Sequence, residues 1–297
     1  MFKLLYYAKW FFECRVLGKR KPLQSVVFIT DKCNLKCKHC SVVKCGDEAT
    51  SRTYDEVLNT LKKCYLMGSR IVDFEGGEPT LWQDGDKNIN DLIKLANKIG
   101  FFSTTVTTNA QQPINLDSNL VWISIDGDEK AHDDCRGFGS YQKVMQNIES
   151  SNHPCLNVNM TITKLNYHCV EDVIEMVKNH KKLKKISVSF LTPHGKSGEL
   201  MVSDEIRNET IDRIIELKKQ NYPIMNSFAG LKLLKSRKFK KACWITNFVM
   251  PDGTFLDECS GETEGICDQC GYGMATEMSL VFNLNHQTII AGLGVRK

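Results

Sequence analysis

The chain is 297 residues long, 42% hydrophobic and 25% charged, with a formal net charge of +4. That composition is globular, with room for one large α/β barrel or two ordinary domains; the charge is too small to argue a nucleic-acid partner, and no apolar run approaches the ~20 residues of a transmembrane helix. Thirteen cysteines is an odd count that a complete disulfide framework would not leave, and the N-terminus lacks the apolar core and cleavage site of a signal peptide, so the thiols are expected in a reducing, cytoplasmic setting where clustered cysteines bind metal.

Residues 1–21 read as an amphipathic helix. Tyr7, Trp10, Phe11, Cys14 and Leu17 form one stripe, with Lys9, Glu13 and Arg20 roughly opposite and Lys19 to Lys21 as a basic end. Such a helix suits a peripheral position at the inner face of a membrane, and equally an ordinary position against the protein body. The basic runs KKLKK (181–185) and KSRKFKK (235–241) either add attraction to anionic lipid or are solvated.

Residues 22–225 alternate short β-branched runs with helical patterns. Strands are expected at 25–30, 70–75, 101–108, 120–126, 155–163 and 184–191, and helices at 53–68, 88–100, 140–151, 170–183 and 203–220. Thr53, Asn88, Ser140 and Ser203 are the expected N-caps, and Gly68 and Gly100 the stops. Six successive βα units with right-handed crossovers imply a parallel sheet curled into a partial (β/α)6 TIM-like barrel, whose chemistry collects at the C-terminal ends of the strands. Residues 226–297 differ in composition: a hairpin around Pro251-Asp252-Gly253, then ICDQC and a final helical stretch, TEMSLVFNLN, read as a small cysteine-rich auxiliary domain.

The stretch CNLKCKHC puts Cys33, Cys37 and Cys40 in the loop after the first strand. Three thiolates around a 4Fe-4S cluster leave one iron open, as catalytic metal sites require. A zinc knuckle completed by His39 or Cys45 is the alternative. The triad is the CxxxCxxC signature of the radical S-adenosylmethionine (radical SAM) superfamily, which this chain resembles over roughly residues 22–220. The resemblance implies a cluster whose open iron binds S-adenosylmethionine, reductive cleavage to a 5'-deoxyadenosyl radical, and hydrogen abstraction from a substrate. It also implies an electron donor such as flavodoxin or ferredoxin. The family usually has an aromatic residue where His39 stands.

Further matches carry cofactor roles by the same resemblance. Gly76, Gly77 and Glu78 of GGEP would hold the methionyl amino group, while Asn109 of TTN, with Ser124 and Asp126 of SIDG, would meet the ribose and methionyl portions. Arg136 in HDDCRGFGSYQKV is expected in the following loop, against the methionyl carboxylate, and Asn159 and Thr161 are weaker candidates on the fifth strand. Cys243, Cys259, Cys267 and Cys270 resemble a SPASM/twitch-like extension with one auxiliary 4Fe-4S cluster, structural zinc being the alternative. Cysteines 14, 45, 64, 135, 155 and 169 read as buried small hydrophobes. The substrate is not encoded: peptide, lipid or isoprenoid, and small metabolite all stay open, beside non-catalytic readings as an iron-sulfur electron carrier or a zinc scaffold.

Overall fold

The computed structural model describes residues 2–40, 42 and 49–293; Cys45 lies outside the described residues. Its strands in chain order are β1 (Gln24–Phe28), β2 (Ile71–Glu75), β3 (Gln83–Asp84), β4 (Lys87–Asn88), β5 (Ser103–Thr108), β6 (Leu120–Ser124), β7 (Leu156–Ile162), β8 (Leu183–Phe190), β9 (Thr246–Val249) and β10 (Phe255–Leu256). The helices are α1 (Phe2–Arg15), α2 (Tyr54–Met67), α3 (Ile89–Ile99), α4 (Glu129–Arg136), α5 (Ser140–Ser150), α6 (Val170–Asn179), α7 (Asp204–Lys219), α8 (Phe228–Ser236), α9 (Ser260–Thr263), α10 (Gly273–Phe282) and α11 (His286–Leu293).

Eight strands make one sheet in the order β10-β9-β1-β2-β5-β6-β7-β8, parallel throughout except for the edge pair β10-β9. This is the expected partial barrel, extended at one edge by two strands from the C-terminal segment: β9 pairs with β1, Gln24 opposite Thr246. The C-terminal segment is therefore built into the barrel sheet and does not stand apart as an appendage. Crossover helices cover the outer face. Val72, Phe74, Val106, Val121, Ile123, Val158 and Met160 join residues of α2, α3, α5 and α6 in one core, so the alternate residues of the same strands face the lumen.

Local signals explain most boundaries. Thr53 and Asn88 each form a capping box, with Glu56 and Asp91, and Ser203 accepts the Ile206 N–H. Gly68 and Gly100 end α2 and α3. Ser140 does not cap α5; it is the first helical residue, and Asp133 reaches over from α4 to accept the Gly139 and Tyr141 N–H groups at 2.6 and 2.8 Å. The expected loop at 129–136 is helix α4, capped by Asp128. The β5-to-β6 crossover, residues 109–119, carries no helix, and Ile114 and Leu116 fill its place in the core.

The N-terminal helix lies across the lower end of the barrel. Tyr6 donates its hydroxyl to the Gly68 carbonyl, Lys3 reaches the Phe102 carbonyl at 3.2 Å and Trp10 the Lys21 carbonyl at 3.0 Å, all in segments that precede strands. Trp10 and Cys14 are buried against Leu23, Ala242 and Ile245, with Phe11, Trp244 and Phe282 beside them. Of the two positions open to the stripe, the one against the protein body is thus the one observed, except at Leu17, which lies beyond the helix and is exposed. A different apolar set on α1 and just after it, Leu4, Leu5, Phe12 and Val16, faces out. No described helix is long and apolar enough to cross a membrane.

Candidate active site

Cys33, Cys37 and Cys40 leave the upper end of β1 in a loop with a closed neck. The Asp31 N–H donates to the Thr50 carbonyl at 3.0 Å, the Thr50 hydroxyl returns a bond to Asp31 Oδ2 at 3.0 Å, and the Arg52 N–H meets the Ile29 carbonyl at 3.0 Å. Burial pushes the Cys37 thiol up to about 11 against the opposing influence of Arg136, with Cys40 and Cys33 adding to the rise; burial likewise raises Cys33. Thiols on one short loop that are reluctant to ionise alone fit a cation that supplies the missing charge.

His39 is not available as a fourth ligand. Its Nδ1 stands 2.9 Å from Cys135 Sγ and its Nε2 3.6 Å from Asp126 Oδ2. Among the described residues of this loop three thiols are left, the donor set of a cluster with one open iron. The ligand atoms of His39, Asp126 and Cys135 themselves lie within 4.8 Å of one another, but the Arg136 Nε already donates to Asp126 Oδ2 at 2.6 Å, and a metal cation there would face a guanidinium.

The glycines after β2 have a physical reason. A Cβ on Gly76 would come inside 3.0 Å of the Thr30 carbonyl oxygen, and one on Gly77 inside 3.0 Å of the Asp31 and Lys32 carbonyl oxygens. The Gly77 and Glu78 N–H groups donate to the Thr30 and Lys32 carbonyls at 2.8 Å. The glycines thus let the β2 end press against the stem of the cysteine loop. Glu78 is buried and fully engaged: Oε1 accepts the Thr80 and Thr108 hydroxyls at 2.6 Å, and Oε2 the Asn109 N–H at 2.7 Å. Burial raises its carboxyl and these donors pull it back. Glu78 anchors the segment from below.

Asn109 links this anchor to the cysteines, its Nδ2 lying 2.8 Å from Asn34 Oδ1 and 3.6 Å from Cys33 Sγ. Ser124, the last residue of β6, pairs in register with Asn159 in the middle of β7, and both are partly exposed. Asp126 is fully buried. Its Oδ1 accepts the Thr161 N–H at 2.9 Å and its Oδ2 faces Arg136 and His39. Burial alone pushes its carboxyl up, but Arg136 and then His39 hold it below the usual range. Arg136 belongs to α4, not to a loop, and its Nη1 lies 3.9 Å from Cys37 Sγ.

Cys243, Cys259, Cys267 and Cys270 come together beside the barrel mouth. The Cys243 thiol donates to Cys259, which this bond draws down to about 6 while Cys243 rises far above its ordinary value; Cys267 and Cys270 are raised first by burial, with Cys259 adding to the rise. Four thiols brought together are the donor set of either a 4Fe-4S cluster or a structural zinc.

Four residues with chemistry were missed. Asp73 and Glu75 alternate with the core residues of β2, so both enter the lumen, where the Thr107 hydroxyl stands 3.3 Å from Asp73 and 3.5 Å from Glu75. Burial pushes their carboxyls up to about 7 and about 8. The period-two polar pattern of RIVDFE was the available signal. Tyr272 sits between Gly271 and Gly273, whose Cβ positions would collide with the Phe190 and Val188 carbonyl oxygens of β8. Desolvation, then Glu75, Asp73, Cys259 and Cys270, raise the Tyr272 hydroxyl well above its ordinary value, although the residue as a whole is 37% exposed. Cys135, read as a small hydrophobe, is buried but meets His39. Cys14, Cys64, Cys155 and Cys169 are buried as expected.

The sequence profile of the Radical SAM superfamily matches residues 27–177. A GTP 3',8-cyclase of Clostridium botulinum (strain Okra / Type B1) is 30% identical over 244 residues, 76% of this chain and 72% of that protein. An AdoMet-dependent heme synthase of Oleidesulfovibrio alaskensis is 26% identical over 211 residues, 64% of this chain and 52% of that one. Among solved structures, Streptococcus suis SuiB bound to precursor peptide SuiA superposes with a TM-score of 0.65 at 17% identity, covering 88% of this chain and 65% of that chain. Polyhistidine-tagged anSMEcpe with bound AdoMet gives 0.61 at 18% identity, over 90% and 78%. The two structures share the fold.

Proposed function

The chain belongs to the radical SAM superfamily, and on that premise we propose that its three-cysteine loop is the seat of the cofactor and its barrel lumen the seat of the substrate. It is an enzyme whose 4Fe-4S cluster reductively cleaves S-adenosylmethionine to a 5'-deoxyadenosyl radical that abstracts hydrogen from the substrate. Cys33, Cys37 and Cys40 ligate the cluster. The carrying observation is that both ring nitrogens of His39 face other partners, which leaves three thiols for the metal among the described residues of the loop. Cys40 is exposed, which supports electron entry there from an external donor such as flavodoxin or ferredoxin.

The backbone at Gly76 and Gly77 meets the methionyl ammonium, with Glu78 holding that backbone in place. Asn109, Ser124 and Asn159 line the remainder of the cofactor site, and Arg136, oriented by Asp126, keeps N–H donors for the methionyl carboxylate. Residues 226–297 hold an auxiliary 4Fe-4S cluster on Cys243, Cys259, Cys267 and Cys270, supported by the convergence of four thiols that act on one another's ionisation. The buried carboxylates of Asp73 and Glu75 favour a polar substrate, peptide or small metabolite, over an isoprenoid tail.

A peripheral membrane site is favoured by a separate observation. The first 21 residues carry six Lys and Arg against one Glu, a charge of +5 that exceeds the net charge of the whole chain. Leu4, Leu5, Phe12 and Val16 are exposed among them, the first by 74%. This combination fits an anionic lipid surface. Because α1 lies under the barrel, docking there turns the mouth toward water.

The test is 5'-deoxyadenosine by mass spectrometry from anaerobically reconstituted protein supplied with S-adenosylmethionine and dithionite. Product from the intact protein and none from Cys40→Ala is the expected result. Equal product from both overturns the assignment of the third ligand.

A further inference from the structure

Helix α4 is fixed on three sides. Its His132 Nδ1 accepts the Asp126 N–H at 3.2 Å, Asp133 binds the start of α5, and the Arg136 Nε donates to Asp126 at 2.6 Å. From this base its last two residues take hold of three consecutive residues of the cysteine loop. The Cys135 carbonyl accepts the Lys38 N–H at 2.9 Å, the Cys135 sulfur lies 2.9 Å from His39 Nδ1, and Arg136 Nη1 lies 3.9 Å from the Cys37 sulfur. Cys135 is 1% exposed and Arg136 9%, so neither grip is a surface contact.

We infer that Cys135, a positioning residue, and Arg136, whose Nη1 faces Cys37 beside its donors for the methionyl carboxylate, are the grips through which α4 orients the His39 ring and sets the reduction potential of the iron-sulfur cluster. The inference rests on the reading of Cys33, Cys37 and Cys40 as ligands. An N–H donated to a ligating sulfur stabilises the reduced, more negative cluster and raises its potential. Arg136 is placed to make such a bond to Cys37. Cys135 acts in the other direction at Lys38, because its carbonyl occupies a backbone N–H that would otherwise be free to turn toward a cluster sulfur. Its thiol and Asp126 together hold His39 by both nitrogens, so the ring between two ligands has one orientation. Cys135 touches neither cofactor nor substrate in this scheme; it acts through Lys38 and His39.

The experiment is an EPR-monitored redox titration of the reconstituted holoprotein, read on the signal that changes when S-adenosylmethionine is added. Arg136→Gln is expected to make the midpoint more negative, by about 59 mV for each tenfold fall in the ratio of reduced to oxidised cluster at a fixed potential. Cys135→Ala is expected to change the g-values as His39 reorients and to weaken S-adenosylmethionine binding roughly fivefold, and Cys135→Ser, which keeps a hydrogen-bonding side chain, to restore both. Wild-type midpoint and line shape in all three variants overturn the inference. Should Arg136→Gln fail to fold, the comparison of Cys135→Ala with Cys135→Ser decides: an identical pair overturns it, and a difference that serine restores supports it. The variant with Cys33, Cys37 and Cys40 all changed to Ala separates the two readings. If it keeps the responsive signal, the ligand assignment has failed; if it loses the signal while the α4 variants titrate as wild type, only this inference has.

Discussion

The Asn109 N–H donates to Glu78 Oε2 at 2.7 Å, and the Asn109 side chain reaches within 3.6 Å of the Cys33 sulfur. Two residues therefore tie the ends of β2 and β5 to the first cysteine, and join the GGEP segment to the cysteine loop.

Glu78→Gln should uncouple them. An amide oxygen accepts more weakly than a carboxylate, and its NH2 would face donors where Oε2 or Oε1 now accepts. S-adenosylmethionine affinity is expected to fall about tenfold or more by equilibrium dialysis, while iron content stays near wild type.

Gly77→Ala should act one step earlier. Its Cβ would meet the Asp31 and Lys32 carbonyls, which are backbone and have no rotamer to change. The expected result is poor loading at the three-cysteine loop, seen as a loss of about four irons per chain with far-ultraviolet dichroism unchanged.

Asp73 and Glu75 give a pH signature. Their carboxyls titrate near 7 and 8 in the fold, above the unfolded values near 4, so the folded state binds the extra protons. The associated stability is complete below about pH 4 and is lost as pH rises through 7 and 8. The double variant Asp73→Asn with Glu75→Gln removes that loss. Its melting temperature should match wild type near pH 4 and exceed it by a margin that grows with pH, reaching a few degrees or more at pH 8.5.

Cys267→Ala tests the second metal. Iron and acid-labile sulfide are expected to fall by about one cluster while the protein still forms 5'-deoxyadenosine. Zinc in the wild-type protein at one per chain, with no sulfide lost in the variant, is the opposing result.

Leu5→Glu with Phe12→Glu tests the outer face of α1. Both side chains are exposed, so folding is expected to be unchanged, and co-sedimentation with anionic liposomes should drop to the level seen with neutral ones.

Much of this was legible because it depends on short-range pattern. The cysteine spacing, the glycine pair and the capping boxes at Thr53 and Asn88 are local signals, and the βα alternation carries the barrel. What escaped was set by distant partners. Helix α4, EKAHDDCR, has little apolar pattern because its burial comes from ion pairing and histidine packing, so it read as a loop. Ser140 looked like a cap because the true acceptor, Asp133, stands on another helix. Tyr7, Trp10, Phe11 and Cys14 were visible as an apolar stripe, but periodicity gives a face and not its partner, here Ile245 and Trp244 at the far end of the chain.

The pairing of β9 with β1 has a consequence for biosynthesis. The first barrel strand to leave the ribosome, QSVVF, is paired on one side by β2 soon afterwards, but its other edge waits until Thr246–Val249 has been made. Through most of translation that edge is an apolar template for strand addition by another chain. A chain cut short before residue 246 keeps the edge for good, and is expected to aggregate even though all six strands of the cofactor-bearing barrel are present.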